Sequence, residues 1–316
     1  MRLLEAAMVL AYWPFLAGTV FVAGGFAVKL IVTGPSGADF CVPGGRRRCL
    51  GESASVHLIW AAVGAFAFHL VHMALHAAWV TETPLSELGQ VLPAFLTKMR
   101  FGRLALLRSV LLALAAAAAW YSLGRNRPGP SALGLALSVP VLVTLSMSGH
   151  QGVGGYMTAA FALDVLHALA VSVWIGGLFL IRRSYAFLLR TGADELQEVF
   201  TSLMTRFSGA ATWAVAFVLA SGAALSLVNV ESVREAVETP YGITLLVKVV
   251  LALFVMLLGG VNKLVVIPMF RSAGRAGHGR LAGLKKTLYN LVTAEMYIGL
   301  AVLLLTSVLV HLSPAE

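Results

Sequence analysis

Histidine is the residue type in this chain that most directly suggests chemistry inside apolar surroundings. His69, His72 and His76 are spaced three and four residues apart, which places their side chains on one face of a helix. In another apolar segment His167 follows Asp164 by three residues, so this pair also shares a face. Imidazole binds copper and other transition metals, and a nearby carboxylate can orient it or accept a proton. These residues predict a metal site between helices.

Other candidate ligands fall near the same depth as these histidines. His150 follows one apolar segment and His311 closes the last, and thioether with imidazole suits copper in either oxidation state. A single helical histidine is usually a hydrogen-bonded core residue, and a methionine is usually packing. Independent packing residues have no reason to share one depth, so we interpret the set as a site. The predicted metal ligands are His72, His76, Met147, His150, Met157 and His167.

Charged side chains inside apolar segments are further candidates, because burying a charge in lipid is costly. Asp164 and Glu295 have short side chains, so we expect each to face the protein interior as an orienting carboxylate or a proton relay. For Glu295 a structural ion pair is an equally good interpretation. The longer basic side chains near segment ends are expected to reach the lipid headgroups. They are Lys29, Arg108, Lys248 and Lys263.

The elements that must position these side chains are membrane helices. Of the 316 residues, 59% are hydrophobic and 12% are charged, and the mean hydropathy is +0.87. A soluble domain carries about twice that charged fraction. The net charge of +9 is spread over short loops and forms no basic face, so nucleic-acid binding is not expected. We predict an all-α polytopic membrane helical bundle, a single transmembrane domain over residues 1–316 with lipid as its surroundings.

The apolar runs predict about eight transmembrane helices. Pro140 lies inside the fourth, where a kink is tolerated if neighbours satisfy the freed carbonyl. The first run is too long for a signal peptide and lacks a clear cleavage site, so we interpret it as a span. The predicted helices lie near residues 8–32, 57–80, 104–123, 131–149, 157–181, 208–230, 242–266 and 288–312.

The distribution of basic residues predicts the orientation. Most Lys and Arg residues of the loops fall on one side of the predicted bundle, and that side should be cytoplasmic. Both termini would then face outward, which is the periplasm if the membrane is a bacterial inner membrane, and the histidines would lie toward that side. The basic residues on the other side are Arg2, Lys98, Arg100, Arg103 and Arg234.

Cys41 and Cys49 lie in the first loop, which this topology places in the cytoplasm, where a disulfide would be unusual. Two thiolates could hold Cu(I), but their spacing matches no standard metal motif. Two unrelated loop thiols are the simpler interpretation. An inverted topology would instead favour a disulfide.

Three stretches, read in order, resemble the core of the CopD family of bacterial copper-transport proteins. The family shows a GHA-like turn, then a D-x-x-H helix that runs into W-x-G-G-L. Here these stretches are Ser148 to His150, Leu163 to His167 and Trp174 to Leu178. Gln151 stands where the family commonly has alanine, and the stripe of His69, His72 and His76 lies outside the resemblance. Weaker matches in the family's order are Thr97 to Arg108, Arg206 to Ser208, Ser221-Gly222, Tyr241 to Pro268 and Ala294-Glu295.

The resemblance implies an inner-membrane protein that handles copper, often beside or fused to a periplasmic copper-binding domain. We therefore expect copper-ion transport, with uptake from a separate periplasmic copper-binding protein, rather than an enzyme. The chain has no Walker motif to support ATP-driven pumping. In this interpretation His72, His76, His150 and His167 are ligands, and Asp164 orients an imidazole or accepts a proton.

Two other functions fit the same residues. A haem b-binding membrane protein, for electron transfer or redox catalysis, would draw its two axial ligands from His69, His72 and His167. The resemblance supports this alternative, because the wider CopD-like group includes the HemJ type of protoporphyrinogen oxidase. A scaffold that helps to assemble a copper enzyme would use the same site and move no ion.

Overall fold

The chain folds into helices of membrane-spanning length. The computed structural model describes residues 2–33, 41–42, 48–125, 128–152, 155–191, 196–229, 232–273 and 278–312. Within these residues, eight helical segments have the length and apolar composition of membrane spans. This agrees with the predicted all-helical bundle of eight spans. Besides helices and turns, the described part of the chain contains one short antiparallel pair of strands.

The helices are numbered in chain order. They are α1 (Arg2–Thr33), α2 (Leu50–Val80), α3 (Leu88–Lys98), α4 (Arg100–Tyr121), α5 (Pro128–Ser148), α6 (Ala159–Val171), α7 (Gly177–Thr191), α8 (Leu196–Asn229), α9 (Val233–Glu238), α10 (Pro240–Val261), α11 (Ile267–Ala273) and α12 (His278–His311). Two π-helical turns, Ser172–Gly176 and Asn262–Val266, join α6 to α7 and α10 to α11. Each joined pair forms one span.

Several helices extend beyond the apolar runs that predict them. The helices α8 and α12 begin at Leu196 and His278, well before the predicted starts at 208 and 288. Their first turns are polar, so an apolar run detects only the part that lipid or protein surrounds. Helix α5 continues from Pro128 to Ser148 with Pro140 inside it, as predicted.

The strands β1 (Cys41–Val42) and β2 (Arg48–Cys49) pair antiparallel in the first loop, and the register sets Cys41 opposite Cys49. Their side chains lie outside the described part of the structure. The predictions about the two thiols therefore stay predictions.

Helix α1 lies at the centre of the bundle and packs against α2, α5, α7 and α12. Its closest approach is to the first π turn. A Cβ atom on Gly24 would overlap the carbonyl oxygen of Ser172, and one on Gly176 would overlap the carbonyl oxygen of Val20. Small residues let membrane helices approach until their backbones touch. Gly176 belongs to the W-x-G-G-L stretch, so that stretch contributes to this packing.

Lys29 does not reach the headgroups, and the prediction that it does is wrong. Its side chain is only 5% exposed, and Nζ donates to Ser55 Oγ at 2.5 Å and to Ser122 Oγ at 3.0 Å. The two hydroxyls come from α2 and from the end of α4. A buried ammonium is tolerated when nearby oxygens replace its hydration. Lys29 thus joins three helices inside the core.

Candidate metal centre

Three of the four histidines on helix α2 lie close together in its second half. His69 and His72 are buried, with 0% and 3% of their surfaces exposed, and His76 is half-buried. Their spacing of three and four residues stacks them along the helix, with His69 deepest and His76 nearest the end. The end of the bundle at which α2 and α12 finish, with His76 and His311, is called the histidine end below.

The imidazoles of His72 and His311 face each other. Their Nε2 atoms are 3.3 Å apart, although the residues lie on α2 and α12. The Nδ1 atom of His311 is 2.7 Å from the carbonyl oxygen of Ser307. Because a carbonyl only accepts, Nδ1 of His311 carries the proton, and its Nε2 presents a lone pair toward His72. This is the tautomer that a metal-ligating histidine needs.

The 3.3 Å separation also suits a shared metal ion. Imidazole nitrogens bind transition metals at about 2.0–2.1 Å, so two of them on one tetrahedral ion stand about 3.3 Å apart. Without an ion, the same distance fits a weak N–H···N hydrogen bond from His72 to His311. In that state Nδ1 of His72 is buried without a partner in the described structure. The pair can therefore hold a proton or a metal ion between its nitrogens.

Aromatic rings enclose this pair. The Tyr12 ring lies 4.9 Å from the His72 ring and 5.5 Å from the His311 ring, measured between centroids. The ring of Phe101 lies 3.8 Å from that of His76, whose own ring is 5.9 Å from that of His72. His76 is thus a neighbour of the pair rather than a member of it. Among the described residues, no three His, Cys, Asp or Glu side chains are arranged to hold a metal ion.

His69 plays a different part. Its Nε2 atom is 2.9 Å from the carbonyl oxygen of Ala105 on α4, so Nε2 carries the proton and donates to that carbonyl. Its ring packs on Phe15 at 4.8 Å between centroids. Nδ1 is buried and has no partner among the described residues. His69 therefore links α2 to α4 through a hydrogen bond.

Arg108 is buried and acts on the histidines of α2. The prediction that it reaches the headgroups is wrong. The residue is 1% exposed. Nε and Nη2 donate to the hydroxyl and carbonyl oxygens of Thr144, at 3.1 and 2.7 Å, and Nη2 also donates to Ser148 Oγ at 2.8 Å. These acceptors on α5 are all neutral, so they do not cancel the positive charge. That charge interacts with His69, His72 and His76.

His167 belongs to a second group of polar side chains. Its Nδ1 atom lies 3.0 Å from Ser221 Oγ on α8. Asp164, one turn earlier on α6, interacts electrostatically with Lys248 of α10. It also interacts with Tyr12, whose ring packs against the His72–His311 pair. His167 therefore contacts α8, whereas His72 contacts α12.

Neither of the two predicted methionine ligands contacts the pair in the described structure. Met157 is fully exposed in the loop before α6. Met147 is half-buried at the end of α5, where its backbone carbonyl accepts a hydrogen bond from Arg100 at 2.8 Å. The side chain of His150 lies outside the described part of the chain. For haem, His69, His72 and His167 face Ala105, His311 and Ser221 respectively, and no two of them are paired in the described structure.

Glu295 lies deep in α12, sixteen residues before His311, which corresponds to about 24 Å along the helix. It is 3% exposed, and its Oε1 accepts a hydrogen bond from Asn262 Nδ2 at 3.1 Å. The expectation that it faces the interior is confirmed, whereas its carboxylate forms no ion pair among the described residues. Its hydrogen-bond partner is an amide of the second π turn.

Spacing alone does not reveal several residues that shape the centre. Tyr12, Ser307 and Thr144 lie on three helices that meet α2 or α4 only in the folded bundle. Arg108 carried a signal, because a charge in an apolar segment is a candidate for function. His311 carried one as well, since it shares the depth of the α2 histidines.

Eight membrane-length helices in the described part of the chain, with a histidine pair between α2 and α12, are typical of a polytopic helical membrane protein. Comparison with known sequences identifies the family. Residues 3–157 match the profile "Copper resistance protein D-like, N-terminal domain", and residues 201–309 match "Copper resistance protein D", CopD. The chain belongs to the CopD family, which confirms the resemblance drawn from its motifs.

Two curated relatives are similar over about half of the chain or more. The copper transport protein CutJ of Bacillus subtilis (strain 168) is 29% identical over 177 residues, which make up 56% of this chain and 30% of CutJ. Copper resistance protein D of Pseudomonas syringae pv. tomato is 31% identical over 208 residues, 63% of each chain. The chain thus spans less than two thirds of the length of either relative. No solved structure matches it.

Proposed function

We propose that this protein carries copper ions across the bacterial inner membrane and that His72 and His311 receive the ion. The observation that carries the proposal is the 3.3 Å approach of the two Nε2 atoms. Membership of the CopD family and the copper-related names of both relatives support copper as the cargo. Copper is thus a transported ion here rather than a fixed cofactor.

The transported form is Cu(I). Two neutral imidazoles add no charge of their own, and the buried guanidinium of Arg108 acts electrostatically on His72. Because electrostatic repulsion scales with the charge of the ion, Arg108 disfavours a dication about twice as strongly as a monocation. Imidazole also suits copper in its lower oxidation state. His76 and Tyr12 lie close enough to adjust around a bound ion.

The direction we propose is uptake. The basic loops favour a periplasmic location for both termini and hence for the histidine end. A separate periplasmic copper-binding protein would then deliver the ion there. His167 and Asp164 provide a polar region near the first part of the route.

Uptake of Cu(I) into sealed vesicles tests this function. Vesicles with the wild-type protein should accumulate copper, and His72→Ala or His311→Ala should abolish most of the accumulation. His57→Ala is the matched control, because His57 lies on the same helix, fifteen residues or about 22 Å from His72. His57 also bonds a local backbone carbonyl, that of Ser53, at 2.7 Å.

Two results would overturn the proposal. Copper that binds to the protein without reaching the vesicle lumen indicates the scaffold function. A purified protein with a Soret absorption band that His72→Ala or His167→Ala removes indicates haem b. Full uptake by the His72 and His311 variants would reject the site and leave the transport function standing.

A further inference from the structure

A cavity lies in the half of the bundle opposite to the histidine end. It has a volume of about 190 Å³ and separates α8 from α10, with α12 and the first π turn behind it. Trp174 of the first π turn and Asn262 of the second both line its wall. π turns inside helices are frequent at functional sites. Such a volume can hold an ion together with several water molecules.

The two buried polar side chains of this cavity do not satisfy all of their hydrogen-bonding atoms within the described structure. Glu295 and Asn262 are 3% and 5% exposed, and they hydrogen-bond to each other. The Oδ1 atom of Asn262 is buried and has no partner in the described structure. Glu295 Oε2 lies 3.5 Å from the point that a Cβ atom on Gly259 would occupy, so the glycine leaves the carboxylate oxygen uncovered on its cavity side.

The charge of Glu295 has no ion pair among the described residues. Lys263 also lines the cavity, but its side chain is exposed and its Nζ donates to Thr212 Oγ1 at 2.5 Å. A carboxylate this deep in a membrane protein is compensated by a proton or by a cation. The cavity therefore has room and charge for one positive ion.

Two thioethers indicate which cation. Met204 of α8 and Met256 of α10 both line the cavity, one on each of the two helices that it separates. Thioether sulfur is a soft ligand that selects Cu(I) over Mg²⁺, Ca²⁺ and Na⁺-like ions. The carboxylate of Glu295 and the amide oxygen of Asn262 are hard ligands that add charge and polarity, but the two soft thioethers still favour Cu(I).

We propose that this cavity is a second Cu(I) site, held by Met204, Met256 and Glu295 with Asn262 Oδ1 directed toward the ion. This inference rests on the proposed function, because it supplies the place where copper stops before leaving the bundle. The two sites are about 24 Å apart along α12, so the ion crosses the bundle in two stages.

Binding stoichiometry tests the second site directly. Purified wild-type protein in lipid nanodiscs, titrated with Cu(I) under reducing conditions against a competing chelator, should bind two ions. Glu295→Gln keeps the hydrogen bond to Asn262 and removes the charge, and it should bind one. The double variant Met204→Leu/Met256→Leu keeps the volume and should also bind one, because leucine replaces methionine with little loss of packing.

Met296→Leu is the matched control. Met296 is 6% exposed and lies beside Glu295 on α12, but it does not line the cavity. This variant should therefore still bind two ions. The second site is rejected if the wild type binds a single ion, or if the Glu295 and methionine variants keep both.

The vesicle assay separates this failure from that of the proposed function. If the Glu295 and methionine variants keep both ions while His72→Ala abolishes uptake, the second site is rejected and the transport function stands. If the wild type binds two ions and accumulates none, transport is rejected and the second site stands as a binding site.

Discussion

His72 and His311 are 239 residues apart in the chain, and their Nε2 atoms lie 3.3 Å from each other. One belongs to the segment that matches the N-terminal family profile, and the other lies just beyond the segment that matches the C-terminal profile. Ser307 fixes the tautomer of His311 through its carbonyl. The centre therefore exists only when α2 and the end of α12 pack together.

Because the two imidazoles share one ion, their substitutions should not be additive. His72→Ala and His311→Ala should each weaken Cu(I) binding at the histidine pair by about 100-fold or more, and the double variant should be little worse than either. Chelator competition on the three proteins measures this coupling. Losses that simply add would mean that the histidines bind separate ions.

His69 should matter for stability rather than for binding. His69→Leu removes one hydrogen bond to the Ala105 carbonyl, which Ser109 Oγ still bonds at 2.9 Å, and this loss should cost about 0.5–1.5 kcal/mol of unfolding free energy. Thermal unfolding in detergent should show a lower Tm, while Cu(I) bound per folded molecule stays the same. A loss of copper without a loss of stability would make His69 a ligand.

Arg108 should set the preference for ionic charge. A unit charge about 10 Å away contributes about 1.7 kcal/mol at an effective dielectric constant of about 20. Arg108→Gln should therefore improve binding of Zn²⁺ relative to Ag⁺ by about tenfold, with Ag⁺ as a redox-stable stand-in for Cu(I). Arg108→Lys, which keeps the charge, is the control. An unchanged ratio of the two affinities would show that the guanidinium acts only in packing.

The contact between Gly24 and the first π turn should tolerate no side chain. Gly24→Ala would push its Cβ into the Ser172 carbonyl and should lower the Tm strongly, since the opposing atom is backbone. Gly64→Ala on α2 is the matched control, because no atom lies within 4 Å of its added Cβ and alanine favours a helix. Equal stability of the two variants would contradict the packing described here.

The number of spans could be predicted from the sequence, since each span is a long apolar run and lipid leaves helix as the only local solution. The inward-facing stripe of His69, His72 and His76 could also be predicted, because it follows from helical spacing. Residue spacing does not tell which other helix packs against a given face of a helix. His72 meets His311, whereas His167 meets Ser221.

The buried cations also show that the sequence alone does not identify the neighbours of a side chain. Lys29 and Arg108 lie near the ends of apolar runs, which favours the headgroup prediction. In the bundle their side chains turn inward, because hydroxyl and carbonyl oxygens of other helices replace water around them. Those oxygens belong to Ser55, Ser122, Thr144 and Ser148.

The backbone contact between α1 and the first π turn also limits how the molecule can move. With Gly24 and Gly176 pressed against opposing carbonyls, α1 and the α6–α7 span cannot slide past each other without a clash. Of the eight spans, those of α8 and α10 bury the smallest share of their residues. Any opening that releases an ion should therefore come from outward tilting of these two peripheral helices about a stationary central pair.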